Sequence, residues 1–173
     1  MKVLVLYYSK NGSVRRLAQA IAQGIEMNGC EAVMRTVPDL NNNAAENETL
    51  SDPYVTEEDF IVCKGMALGS PSWFGNMAAP LKHTLDSTTK LWLSGAMIDK
   101  PAVVFTSASS MHGGQETTLN SMILPLIHHG MIILGLPYSE PDLHNTQSGG
   151  TPYGASHLAK HGDPTLDQHE KNL

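Results

Sequence analysis

Three short segments of this chain combine residue types that suit a phosphorylated, planar ligand. Each is rich in serine or glycine, and the three follow successive apolar runs, spanning residues 9–14, 69–77 and 106–116. Serine hydroxyls and backbone N–H groups can hold a phosphate without a cation, and glycine lets the backbone approach a ligand closely. One such segment is ordinary turn chemistry, whereas three in succession indicate a binding site.

The first segment has the composition of a phosphate-binding loop at the start of a helix. Ser9 and Ser13 carry hydroxyls, and Gly12 permits unusual backbone angles. The segment has neither the GxxxxGK[ST] pattern of a triphosphate loop nor the GxGxxG pattern of a dinucleotide fold. A mononucleotide phosphate, as in FMN, fits better, and a capped helix after an ordinary turn is the alternative. The candidate ligand-binding residues are Ser9, Lys10, Asn11, Gly12, Ser13 and Val14.

The second and third segments have features that suit the planar part of such a ligand. Trp73 and Phe74 are adjacent aromatic residues between glycines, which either flank a ring or anchor a turn. In the third segment, small hydroxyl residues precede Gly113 and Gly114, so backbone N–H groups can reach ring carbonyls. A flexible surface loop is the alternative there. The candidates are Ser72, Trp73, Phe74, Ser107, Ala108, Ser109, Ser110, Met111, His112 and Gly113.

Alternating strand and helix patterns place these segments at one edge of a parallel sheet. The expected fold is α/β: one domain over residues 1–173, with a doubly wound, open, five-stranded parallel sheet in three α/β/α layers. Residues 39–54 are expected to form a surface loop, Pro125 to kink or end its helix, and the final helix to be truncated. The patterns predict strands 3–8, 31–37, 65–69, 101–106 and 131–136 and helices 14–25, 56–63, 76–87 and 117–129.

Composition excludes several classes of function. With 17 acidic and 11 basic side chains, the formal net charge is −6, so binding to a nucleic-acid backbone is not expected. No segment approaches the ~20 apolar residues of a membrane span. The N-terminus lacks a signal-peptide cleavage site. Cys30 and Cys63 are expected to be free thiols of a soluble, cytoplasmic protein, and the scattered histidines predict no metal site.

Six motifs occur in order along the chain. They are V-L-V-L-Y-Y-S at 3–9, G-S-P-S-W-F-G-N-M at 69–77, L-W-L-S-G-A at 91–96, H-G-G-Q-E-T-T at 112–118, H-H-G-M at 128–131 and G-G-T-P-Y-G-A at 149–155. Together they resemble the WrbA-type NAD(P)H:quinone oxidoreductases over nearly the whole chain. The resemblance implies a flavodoxin-like fold, an FMN cofactor, two-electron reduction of quinones by NADH or NADPH, and a homotetramer built as a dimer of dimers.

The same resemblance implies roles for individual residues. Residues 9–14 would hold the FMN phosphate, 72–74 would line the flavin ring and ribityl chain, and 107–113 would surround the polar edge of the ring. His128 would reach the flavin from a neighbouring subunit and is the candidate proton donor to the quinone. Trp92 would help to form the nicotinamide and quinone pocket. Asn11 stands where the family often has an aromatic residue associated with the nicotinamide, and Trp73 where arginine is common.

Three hypotheses about function follow. The leading one is a ping-pong reductase, in which NAD(P)H delivers a hydride to FMN, leaves, and is replaced by a quinone. The second is a flavodoxin-like electron carrier without a substrate pocket. The third is a regulatory or interaction protein that keeps the fold and binds FMN weakly. Retention of FMN and its reduction by NADH would discriminate among the three.

Overall fold

The apolar run near the N-terminus forms the central strand of a parallel sheet. In the computed structural model, which describes residues 1–40 and 52–173, this strand is β1 (Lys2–Tyr7). Leu4 and Leu6 pack into the core on one face of the sheet, while Val5 and Tyr7 pack into the core on the other. Because helices cover both faces, the strand carries no alternating polar residues.

Five further strands complete the sheet, and every pairing is parallel. The order is β2-β1-β3-β4, with β5 and β6 sharing the outer edge of β4. β5 pairs with the beginning of β4, at Pro101 and Ala102, and β6 pairs with its end, from Phe105 to Ala108. The predicted fold class is confirmed. The strands are β2 (Glu31–Thr36), β3 (Met66–Pro71), β4 (Pro101–Ala108), β5 (Ile132–Ile133) and β6 (Ala155–Leu158).

The outer edge differs from the prediction of five strands. The strand expected at 131–136 contains only two residues, because the chain turns away from β4 at Gly135. Leu134 N–H still bonds to the Ala102 carbonyl at 2.9 Å, but Leu136 N–H bonds to the Pro152 carbonyl at 3.0 Å. The vacated half of the edge is filled by β6, a sixth strand that the sequence analysis did not predict.

Seven α-helices flank the sheet in the described ranges. α1 packs with Val5, Tyr7 and Phe105 on one face, and α2 to α5 contribute to the core around Leu4 and Leu6 on the other. This arrangement gives the three layers that were predicted. The helices are α1 (Ser13–Met27), α2 (Glu57–Val62), α3 (Ala79–Asp86), α4 (Thr89–Ser94), α5 (Gln115–His128), α6 (Asp142–Asn145) and α7 (Gln168–Asn172).

Several helix and loop boundaries differ from those predicted from the sequence. α3 begins at Ala79 instead of residue 76 because Pro80 belongs to its first turn. α5 continues past Pro125 to His128: this proline lies in the last turn, where the carbonyls of residues 125–127 still accept hydrogen bonds from residues 129–131. α4 was not predicted. Of the expected surface loop at 39–54, residues 41–51 lie outside the described ranges, and Tyr54 forms a parallel bridge with Thr36.

Candidate functional site

A cavity of about 160 Å³ lies where the carboxyl ends of β1, β3 and β4 meet. The three segments that the sequence analysis selected all reach it. Of the described residues that line the cavity, Lys10 alone is charged, Asn11 carries an amide, Trp73 carries an indole, and the others are small, hydroxylic or apolar. They are Ser9, Lys10, Asn11, Ser13, Val14, Pro71, Ser72, Trp73, Ser107, Ala108, Ser109, Ala159 and Gly162.

The N-terminus of α1 opens onto this cavity. Gly12, the residue before the helix, has φ +88°, in the left-handed region that glycine tolerates, and it has no side chain that could cap the helix. Ser9 Oγ accepts a hydrogen bond from Arg15 N–H at 3.3 Å, which holds the loop against the first turn. The first-turn N–H groups and the helix dipole favour an anion at this point. The residues present therefore fit a phosphate group.

The positive charge at the cavity is balanced within the protein. Lys10 Nζ lies 3.0 Å from Asp39 Oδ2, and the same oxygen accepts a hydrogen bond from the Tyr8 hydroxyl at 3.1 Å. Burial and the bond to Asp39 raise the pKa of Tyr8 to about 12, so this hydroxyl stays protonated. The Tyr8 ring meets the Trp73 ring edge-on, with centroids 5.7 Å apart. A phosphate here would be held chiefly by N–H and hydroxyl donors.

Ser72 joins the loops that follow β3 and β4. Its N–H donates to the Ser107 carbonyl at 2.9 Å, and its hydroxyl donates to the Gly113 carbonyl at 2.8 Å. The Thr118 hydroxyl donates to Ser72 Oγ at 2.9 Å. The Ser72 side chain is thus engaged within the protein, and its contribution to the site is to fix the two loops relative to one another.

Beyond Ser72, the chain makes a tight turn that exposes Phe74. Trp73 and Asn76 exchange backbone hydrogen bonds of 3.0 and 3.1 Å, and both residues between them, Phe74 and Gly75, have positive φ. Phe74 is fully exposed, and Trp73 is 41% exposed. A non-glycine residue in the left-handed region is strained, and such strain is concentrated at functional sites. The turn presents two aromatic rings beside the mouth of the cavity.

The glycine pair in the third segment is required by close packing. A Cβ on Gly114 would lie 2.7 Å from Gly75 Cα, and Gly114 has φ +86°. A Cβ on Gly113 would lie 2.8 Å from the Ser110 carbonyl oxygen. Gln115 Nε2 donates to that same oxygen at 2.8 Å, while its buried Oε1 has no partner in the described part of the chain. Residues 110–115 are therefore packed against the Trp73–Asn76 turn.

Trp92 and His128 meet at a different place in the molecule. Trp92 Nε1 donates to the His128 carbonyl at 3.0 Å, and both residues line a cavity of about 410 Å³ beside α4 and the end of α5. α5 has 14 residues, so its two ends lie about 20 Å apart. Within one chain, His128 is remote from the loops that line the first cavity. Its predicted role at the flavin requires a second subunit.

The structure brings most of the predicted residues to one cavity and adds residues that were missed. Gly12, Phe74 and residues 110–113 lie in the lining segments without lining the cavity themselves. Ala159 and Gly162 were missed because they follow the unpredicted strand β6. Tyr8 and Asp39 were missed because their contact spans 31 positions and leaves no local pattern. The G-G-T-P-Y-G motif before β6 was the available signal for that region.

Residues 1–40 and 52–173 also show whether other kinds of site are present in those ranges. Neither range contains a helix that is long and apolar enough to cross a bilayer. No three side chains among His, Cys, Asp and Glu converge there as a metal site would require. Cys30 and Cys63 are both free.

Comparison with solved structures defines the class of protein. The WrbA-like flavodoxin from Agrobacterium tumefaciens superposes with a TM-score of 0.69 at 21% identity, covering 98% of this chain and 90% of that one. A flavodoxin from the domain Archaea gives a TM-score of 0.64 at 20% identity and covers 100% and 93% of the two chains. The fold is that of the flavodoxin-like α/β proteins.

Sequence relatives define the family more narrowly. The family model described as NADPH-dependent FMN reductase matches residues 1–139. A protein of Syntrophobacter fumaroxidans named NAD(P)H dehydrogenase (quinone) is 39% identical and aligns over 92% of this chain and 84% of its own. A protein of Trichlorobacter lovleyi with the same name is 41% identical and aligns over 91% of this chain and 83% of its own. The chain belongs to the NADPH-dependent FMN reductase family and to the same family as these proteins named NAD(P)H dehydrogenase (quinone), which agrees with the predicted resemblance.

Replacing Gly114 with alanine is expected to damage the site through the Trp73–Asn76 turn. The added methyl group would meet Gly75 Cα at 2.7 Å, so one of the two loops must move. We expect FMN affinity to fall by about tenfold, with about 1–3 kcal/mol lost from stability. FMN titration of the apoprotein measures the first effect and urea unfolding the second.

The control for Gly114→Ala is Gly29→Ala. Gly29 also has positive φ, at +76°, but a Cβ there would meet nothing within 4 Å. It should lose stability from backbone strain while keeping the wild-type affinity for FMN. Equal FMN affinities in the two variants would show that the contact between Gly75 and Gly114 does not shape the site.

Proposed function

We propose that this protein is an FMN-dependent NAD(P)H:quinone oxidoreductase that transfers two electrons as a hydride by a ping-pong mechanism. One observation carries the proposal: the N-terminus of α1, which begins directly after a glycine, and the hydroxyl-rich ends of β1, β3 and β4 surround a single cavity without an acidic lining residue in the described ranges. The helix N-terminus suits a phosphate, and FMN combines a phosphate with a planar ring that the neighbouring strand ends could contact. The FMN reductase and quinone dehydrogenase names of its relatives support the redox chemistry.

The geometry suggests how FMN would be divided between the cavity and the surface. At about 160 Å³, the cavity is smaller than the ~300 Å³ at which pockets for whole ligands begin, so it suits the phosphate and ribityl chain. We propose that residues 9–14 hold the phosphate. Trp73, Phe74 and residues 107–113 would then contact the flavin ring at the cavity mouth. When bound, FMN supplies the chemistry of accepting a hydride from NAD(P)H and passing two electrons to a quinone.

The protein would contribute orientation and a surface for stacking. The exposed Phe74 ring and the Trp73 indole, which Tyr8 holds edge-on, form an apolar border at the mouth. Such a border can receive planar nicotinamide and quinone rings in turn, which is what a ping-pong sequence requires. Asn11 lies on the lining of the same cavity and is a further candidate contact for the nicotinamide.

We further propose that the cytoplasmic enzyme is a homotetramer built as a dimer of dimers. Large apolar side chains are exposed around the cavity that contains Trp92 and His128: Leu93 is 72% exposed, Leu124 61% and Ile127 54%. A second copy covering this face would bury them. It would also allow Trp92 and His128 to approach the flavin of a neighbouring subunit, where His128 could donate a proton to the quinone.

Anaerobic reduction of the purified protein tests the proposed function. With FMN supplied, NADH or NADPH should bleach the flavin absorbance, and benzoquinone added afterwards should restore it fully. Riboflavin, which lacks the phosphate, is the matched ligand control and should bind at least about tenfold more weakly, because each charge-assisted hydrogen bond contributes about 1.5–3 kcal/mol.

The other outcomes point to the competing functions. Tight FMN binding without rapid reduction by a nicotinamide would favour an electron carrier that receives electrons from a protein. Failure to bind FMN at micromolar concentration in a folded sample would favour a regulatory or interaction protein. Equal affinities for FMN and riboflavin would contradict the assignment of residues 9–14 to the phosphate.

A further inference from the structure

A turn that follows β6 forms a wall of the cavity. This closing turn, residues 159–163, places Ala159 and Gly162 on the cavity lining. Ala159 N–H donates to the Ala108 carbonyl at 2.9 Å, which docks the turn against the end of β4. His161 and Gly162 both have positive φ, at +54° and +81°. The turn is therefore a tight reversal that an adjacent contact must hold in place.

His157 supplies that contact from inside the protein. Its side chain is only 1% exposed, and its ring nitrogens face two acceptors. Nδ1 lies 2.9 Å from Glu170 Oε2, and Nε2 lies 3.0 Å from the Asp163 carbonyl oxygen. A doubly protonated imidazole donates at both positions. His157 of β6 thus hydrogen-bonds both to the end of the closing turn and to α7.

Glu170 extends the connection through the C-terminal part of the chain. Its Oε1 accepts from the N–H groups of Gly149 and Leu158 at 2.9 and 3.0 Å, and its Oε2 also accepts from Asp167 N–H at 3.0 Å. Only 3% of the residue is exposed. Since a buried carboxylate that loses a partner is costly, α7, β6 and the closing turn should move as one unit.

We propose that His157 is a positioning residue for the cavity, through which FMN binding is coupled to the docking of residues 163–173. The inference rests on the proposed function for the identity of the ligand. His157 itself does not line the cavity; it holds the closing turn in the position that completes the wall. Coupling of this kind is reciprocal, so FMN should stabilise α7, and loosening the turn should weaken FMN binding.

Two variants separate the contacts of the imidazole. His157→Asn keeps a donor near the Nδ1 position, toward Glu170, and removes the bond to Asp163. His157→Gln places its amide near the Nε2 position, toward Asp163, and removes the bond to Glu170. We expect His157→Asn to raise the dissociation constant of FMN by about tenfold, since one positioning hydrogen bond is lost, and His157→Gln to raise it less.

Hydrogen exchange on the unaltered protein gives a second readout. Addition of FMN should slow amide exchange in residues 167–173, although these residues do not line the cavity. This measurement does not depend on whether a variant folds. The control variant is Asp59→Asn, which removes a buried carboxylate bonded to Arg35 and Thr56 at the start of α2. It should lower stability while leaving FMN affinity unchanged.

The outcomes distinguish this inference from the proposed function. Suppose that the unaltered protein binds FMN, that FMN does not change amide exchange in residues 167–173, and that His157→Asn binds FMN as tightly as the wild type. His157 and Glu170 would then have a structural role only, and the coupling would be overturned while the proposed function stands. If the unaltered protein does not bind FMN, both the proposed function and the coupling are overturned. A raised dissociation constant together with FMN-dependent protection supports the coupling.

Discussion

Gly149→Ala is expected to be among the most destabilising single substitutions in this protein, lowering the free energy of unfolding by about 3–5 kcal/mol. A Cβ at this position would lie 1.8 Å from the Ser156 carbonyl oxygen and 2.7 Å from Glu170 Oε1. The first neighbour is a backbone atom of β6 itself, so it cannot rotate away as a flexible side chain would. Relief of the clash must also stretch the bond from Gly149 N–H to Glu170.

Urea unfolding measures this prediction, and Gly24→Ala is its matched control. Gly24 lies inside α1, and a Cβ there would meet nothing within 4 Å. Because alanine is the better helix former, Gly24→Ala should raise stability by about 0.5–1 kcal/mol. A loss below about 1 kcal/mol in Gly149→Ala would mean that β6 can shift freely, which would also weaken the case for a rigid unit of β6 and α7.

Glu170→Gln is expected to have the second large effect, lowering the free energy of unfolding by about 3–5 kcal/mol. The substitution leaves a buried imidazole without its anionic partner. Burial alone would raise the pKa of Glu170, but hydrogen bonds from His157, Leu158 and Asp167 lower it to about 2. Burial alone would lower the pKa of His157, and its bonds to Glu170 and Asp163 outweigh burial and raise it. The charged pair is therefore the stable form.

The two shifts set the pH range in which the pair stabilises the protein. Glu170 contributes fully above its ordinary pKa of 4.5, and its contribution is lost as pH falls toward 2. His157 contributes fully below its ordinary pKa of 6.5, and its contribution is lost as pH rises through the raised value. The stability difference between the wild type and Glu170→Gln should thus be greatest between pH 4.5 and 6.5.

Denaturant unfolding at about pH 5.5 and about pH 8.5 tests this dependence, because the second value lies above the ordinary range for histidine. The difference in the free energy of unfolding between the wild type and Glu170→Gln should be smaller at the higher pH. Asp59→Asn serves again as the control, since Asp59 pairs with an arginine that stays charged throughout. A difference that is the same at both pH values would indicate that His157 is neutral in the folded protein.

The sequence predicted the site best where local composition is sufficient. Ser9–Val14 follow the buried strand β1 and Ser107–Ser109 lie at the end of β4, and parallel strands must bring their carboxyl ends to one edge. Their meeting at one cavity was therefore predictable from the order of elements alone. Trp73 reached the cavity for the same reason, whereas the positive φ of Phe74 depends on the turn that Asn76 closes.

The outer edge of the sheet was predicted poorly because its pairing is not local. Ala155–Leu158 is a four-residue strand after a glycine-rich stretch, and it pairs with Phe105–Ala108 across about 50 positions of sequence. Neither its length nor its composition distinguishes it from a loop. The unpredicted strand also hid Ala159 and Gly162, which follow it, and the contact from its residue His157 to Glu170.

The sequence alone determined the class of fold, the central strand β1, the helix α1 and the three segments that line the cavity. Hydrophobic periodicity and the residue types at strand ends are patterns within a few neighbouring positions, so a single sequence is enough to identify them. Only the tertiary structure decided which strand completes the edge, how Asp39 balances Lys10, and how His157 supports the closing turn. These features depend on contacts that no local sequence pattern encodes, because their energies arise only when the folded chain has brought polar groups within hydrogen-bonding distance.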